Sequence, residues 1–172
     1  VRRDDQVDVL EEEILRYLGL VRKGMLTDQE SAEFQGLMMA TDNLENLADV
    51  IETDLAALAR KACDVDSAAG DESRAMLEEL YATVIKAVEL TVQALRDNDQ
   101  RAAESVLMLK VQVREQSERL LSRKAERLAT DDPDYLTLIR LQMSFVDQMR
   151  RIYTLAKRIT KDILPPAVSR AE

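Results

Sequence analysis

Four carboxylates, Asp42, Glu45, Asp49 and Glu52, follow one another at three- and four-residue steps and therefore stack along one edge of a single helix. Two chemistries fit such an edge. Glu45 and Asp49, one turn apart, can point together at a divalent cation, with Asp42 and Glu52 as neighbours. In a chain with no His, an all-oxygen donor set favours Mg, Ca, Mn or Fe over zinc. The other reading is an acidic edge balanced by Arg or Lys, because like charges at this spacing repel by a few tenths of a kcal/mol per pair unless something positive offsets them. Metal sites in helical bundles draw carboxylates from at least two helices, so the helices packed beside this one decide between the two readings.

Catalysis has little to work with. The absence of His removes the usual neutral-pH general base, any Ser-His-Asp triad and the Glu-x-x-His pairs of ferritin-like metal enzymes. A single cysteine, Cys63, allows no internal disulfide and no cysteine metal cluster, which makes a reducing, cytoplasmic compartment the default. The net charge of −9 argues against nucleic-acid binding. That charge is unevenly spread: residues 1–100 hold 23 acids and 10 bases (−13), and the remainder 10 acids and 14 bases (+4). The basic C-terminal helices, with Arg150, Arg151, Lys157, Arg158 and Lys161, are expected to lie against the acidic ones and neutralise part of the carboxylate stripe, or else to face a partner or anionic headgroups.

The elements that position these groups are helices. Four Gly and three Pro in 172 residues, with aromatics at 3%, favour long helices over strands, and the length suits one domain, 1–172. No run of about 18 apolar residues can span a membrane, and the N-terminus lacks a signal-like apolar core. Val1 in place of Met reads as a piece cut from a longer protein. A first amphipathic helix follows Val7, Leu10, Ile14, Tyr17 or Leu18 and Val21, and Gly24 ends it. A second opens on a capping box, Thr27 with Glu30, and runs to about Ala62, roughly 50 Å, with Phe34, Leu37, Thr41, Leu44, Ala48, Ile51, Leu55 and Leu58 as its expected seam. The acidic stripe lies about 100° round from that seam. A loop at 63–70 separates the halves.

A third helix, from about Asp71 to Leu95, carries Leu77, Leu80, Val84, Val88, Thr91 and Leu95, and turns at Asp97-Asn98-Asp99. The fourth, marked by Ala102, Val106, Leu109, Val113, Leu120 and Leu128, ends before Thr130-Asp131-Asp132-Pro133. The fifth, about Asp134 to Leu164, carries Leu138, Leu141, Phe145, Met149, Ile152, Ala156, Ile159 and Ile163, stops at Pro165-Pro166, and leaves 165–172 as a loose tail. Met38, Met39, Met108, Met143 and Met149 read as core filler and Cys63 as a loop-edge thiol.

In this order and spacing the chain resembles the PhoU family of phosphate-uptake regulators, bundles of two three-helix repeats. The resemblance rests on the helix Val7-Asp8-Val9-Leu10-Glu11-Glu12-Glu13-Ile14, on Asn43-Leu44-Glu45-Asn46-Leu47-Ala48-Asp49 beside the family signature D-L-E-R-I-G-D, and on Leu90 to Asp99 beside the corner A-L-x-x-x-D. Three further stretches resemble the PhoU-like cytoplasmic domain that ends bacterial sodium/phosphate cotransporters: Ile14-Leu15-Arg16-Tyr17-Leu18, Leu55 to Lys61, and Phe145-Val146-Asp147-Gln148-Met149-Arg150-Arg151-Ile152.

The resemblance implies an all-α antiparallel bundle with a partial first repeat at 4–62 and a second repeat at 71–164. It also implies metal at Glu45 and Asp49, and a non-enzymatic regulatory role on the cytoplasmic side of the membrane. Its partner would be the transmembrane transport domain of the same polypeptide, and the chain itself would be a monomer or a homodimer. A free-standing PhoU-type signalling protein and a plain helical scaffold are the alternatives. The departures are specific: the second copy of the acid-x-x-x-Asp motif, Asp147 to Arg151, ends in Arg, and Asn46 and Ala48 replace the family's Arg and Gly. Those changes leave at most one metal site.

Overall fold

The computed structural model describes residues 3–64, 70–127 and 133–163; residues 65–69 of the loop expected at 63–70, residues 130–132 of the corner expected at 130–133 and the expected tail at 165–172 lie outside the described residues. Every element in it is helical: α1 (Arg3–Val21), α2 (Asp28–Asp49), a π-helical turn (Val50–Leu55), α3 (Ala56–Cys63), α4 (Asp71–Asp97), α5 (Gln100–Arg127) and α6 (Pro133–Ile163). The α2, π and α3 segments form one rod that opens as the sequence predicts. The Thr27 hydroxyl accepts from the Glu30 backbone N–H, and the Glu30 carboxylate accepts from the Thr27 backbone N–H at 2.8 Å, a bond that also holds this carboxyl below its ordinary value. At the α4–α5 corner Asn98 takes the left-handed conformation (φ 51°), and the Asp99 carboxylate caps α5 by accepting from the Arg101 and Ala102 backbone N–H groups.

Helix α6 lies at the centre. It packs on α4 and α5, which also pack on each other, so that these three make a closed three-helix bundle; its other side carries α2, and α1 packs on α2. The core draws Leu80 and Val84 from α4, Val106, Val113 and Leu120 from α5, Val146, Met149 and Ile152 from α6, and Leu47 and Val50 from the α2 rod. Tyr153 is buried here because its hydroxyl donates to the Val106 carbonyl at 3.0 Å. The expected seams of α4, α5 and α6 are buried or half-buried wherever they are described.

The seams of the first two helices are only partly where the periodicity puts them: Val7 and Leu18 on α1 and Phe34, Thr41 and Ala48 on α2 are buried or half-buried, but the larger apolar residues beside them are not. On α2 the line against α6 is Gly36, Ala40, Asn43, Leu47 and Val50, while Leu37, Leu44 (37% exposed) and Ile51 (47%) face outward. Small residues win this face because the helices approach closely: a Cβ on Gly36 would stand 2.3 Å from the Asp162 carbonyl oxygen. On α1 the buried line is Val7, Glu11, Leu15 and Leu18, with Leu10, Ile14, Tyr17 and Val21 turned out. The π turn explains why Leu55 and Leu58 are nevertheless half-buried. A turn with i→i+5 bonds takes roughly one extra residue, which sets the following chain back by about 100° and swings the same sequence stripe toward α6. The methionines are also mostly surface: Met149 is core, but Met38, Met39, Met108 and Met143 are exposed.

Candidate functional site

The α1–α2 turn is short, so α1 folds back antiparallel along α2 and delivers carboxylates the stripe alone did not reveal. Glu45 is half-buried, and its carboxyl is pushed above its ordinary value first by burial and then by the charges of Glu11, Asp49, Asp42 and Asp8. Asp8 and Glu11, three residues apart on α1, are thus site residues that the α2 pattern missed. The signal was present in their spacing, but only the turn length pairs them with Glu45.

Asp49 accepts from the Thr53 hydroxyl at 3.1 Å, one turn on and inside the π segment. Asp42 offers its backbone carbonyl to the Asn46 amide at 2.7 Å. Glu52 is half-buried on the same rod. Among the described residues no ion pair engages Asp8, Glu11, Asp42, Glu45 or Asp49. From the basic helix, Arg151 donates to Asp54 on the same rod at 2.9 Å. Arg151 is therefore an anchor between the π turn and α6.

Among the described residues no group of three or more His, Cys, Asp or Glu side chains is gathered to hold a metal ion. The charges of Glu11, Asp49, Asp42 and Asp8 repel the Glu45 carboxylate. At the far end of the α2–α6 contact the Asn43 amide donates to the Asp162 carboxylate at 3.4 Å; burial raises the Asp162 carboxyl, with Arg158 pulling the other way.

What the geometry offers is a surface: an acidic edge shared by α1 and α2, a basic face on α6 with Arg151 on Asp54, and apolar stripes on α1 and α2 that are exposed among the described residues. No described helix is long and apolar enough to cross a membrane. Compared with known proteins, the chain matches no family model, and no curated protein or solved structure resembles it above chance.

Proposed function

We propose that this chain is a non-catalytic regulatory module, the PhoU-like cytoplasmic domain of a sodium-dependent phosphate transporter. The observation that carries the reading is the pairing at the centre of the bundle. The helix bearing Glu45 and Asp49 lies antiparallel on the helix bearing Asp147 and Arg151, with Gly36 and Asn43 at Asp162 and Asp54 at Arg151. This is the arrangement expected if the two motif-bearing helices close two related halves. A module of this kind regulates by docking on the transport domain and binding one of its conformations more tightly, and a differential of a few kcal/mol is enough to shift the populations.

Sodium-driven phosphate uptake tests the proposal. Removing this segment from its full-length protein should change the uptake rate at unchanged transporter abundance, and the reading frame upstream of Val1 should encode about eight apolar segments. Unchanged uptake refutes the regulatory role. A frame without such segments leaves the free-standing phosphate-signalling protein as the surviving alternative.

A further inference from the structure

The two apolar stripes left open on α1 and α2 form one face. On α1, Leu10, Ile14 and Tyr17 sit about 80° from the line that meets α2. On α2, Leu37, Leu44 and Ile51 sit about 80° from the line through Phe34, Thr41 and Glu45, which meets α1. Both stripes are turned in the same sense along their own chains, and for antiparallel helices that sense places them on the same side of the hairpin. Asp8, Asp42 and Asp49 are turned the opposite way, onto the other edge.

We infer that this face pairs with the same face of a second copy of the chain, the two α1–α2 hairpins making a four-helix bundle across a two-fold axis. Three observations select this occupant. The first is area: Leu10 is 60% exposed, Tyr17 66% and the other four 37–48%. These six side chains alone offer on the order of 500 Å² per copy, so a pair buries about 1,000 Å², the lower bound of a specific interface, before any flanking residue counts. The second is charge. A face-to-face dimer turns both acidic edges outward, whereas stacking through the Glu45 side would oppose like charges. The third is shape: α4, α5 and α6 close on themselves, whereas α1 packs on α2 and α2 meets α6 along its Gly36–Val50 line, so the remaining side of the hairpin is open to pair with its copy and make four helices.

Sedimentation velocity on the chain, from low micromolar to near-millimolar concentration, reads the outcome. Wild type should pass from monomer to dimer mass as concentration rises. Ile14→Glu and Leu44→Glu, each at a solvent-facing position, should stay monomeric with unchanged helical circular dichroism. Met108→Glu, on an exposed α5 site away from this face, should dimerise like wild type. A wild type monomeric throughout overturns the inference, as does a dimer that survives both substitutions. Capture of an added amphipathic helical peptide by the monomer at this face also overturns it, by assigning the face to a different partner.

Discussion

Two glycine substitutions in helices should move stability in opposite directions, and the reason is the α2–α6 contact. Propensity alone predicts that Gly→Ala in a helix stabilises by about 0.5–1 kcal/mol, because alanine loses less backbone entropy on folding. Gly19, in α1, has nothing within 4 Å of the position its Cβ would take, so Gly19→Ala should show that gain. At Gly36 the new methyl would sit 2.3 Å from the Asp162 carbonyl oxygen and 3.3 Å from its carbon, both backbone atoms with no rotamer to escape into. Ordinary contact requires about 3.5 Å, so α2 and α6 must part by about 1 Å there, forfeiting part of the dispersion contact along the seam. The 3.4 Å bond from Asn43 to Asp162 lies in the same region and weakens with it. Overpacking of this kind costs about 1–3 kcal/mol. Set against the propensity gain, Gly36→Ala should be net destabilising, by up to about 2 kcal/mol. Urea denaturation of the two variants, with m-values checked against wild type, gives the comparison directly. If Gly36→Ala is as stable as Gly19→Ala, the close approach of α2 to α6 is wrong, and with it the register that puts Leu47 and Val50 in the core.

The outward position of Leu44 and Ile51 makes a second comparison. Leu44→Ala or Ile51→Ala, measured at concentrations low enough to keep the chain monomeric, should cost under about 1 kcal/mol, whereas Leu80→Ala, at a fully buried site, should cost about 2–5 kcal/mol. The acidic edge makes a third. The raised Glu45 carboxyl means the folded state holds its proton more tightly than the unfolded chain, so its contribution to stability is present in acid and is lost as pH rises through the folded value. Glu45→Gln should therefore stabilise the protein at neutral pH, with an advantage that shrinks on acidification and on adding salt, and Mg or Mn should raise the melting temperature of wild type no more than that of the variant. A divalent-specific rise in wild type alone would restore the metal reading of Glu45 and Asp49.

What the sequence disclosed and what it hid separate along physical lines. Helices α4, α5 and α6 each present one dominant apolar stripe to two neighbours, so period alone finds Leu80, Val106 and Met149. The α2 helix meets α6 through Gly36, Ala40 and Asn43, residues chosen for closeness and not for hydropathy, and a search for large apolar side chains picks out the neighbouring stripe instead. The same search fails on α1, where Leu10, Ile14 and Tyr17 outweigh Val7, Leu15 and Leu18 in apolar bulk but not in burial. These misreadings are informative in their own right, since among the described residues the stripes that look most like seams are the exposed ones.

The acidic site follows the same logic. Asp42, Glu45 and Asp49 are visible as a stripe because they share one helix, whereas Asp8 and Glu11 join them only once the short turn at 22–27 folds α1 back. The π turn was invisible, having no residue signature in Val50–Leu55. It nevertheless carries Asp54 to Arg151 and rotates the rod so that Leu55 reaches the core while Ile51 does not. Arg151 is held by Asp54, and burial and the charges of Glu11, Asp49, Asp42 and Asp8 raise the Glu45 carboxyl. Among the described residues the hairpin keeps its acidic edge on one side and its exposed apolar side chains on the other, so the dimer inferred above leaves both acidic edges facing outward.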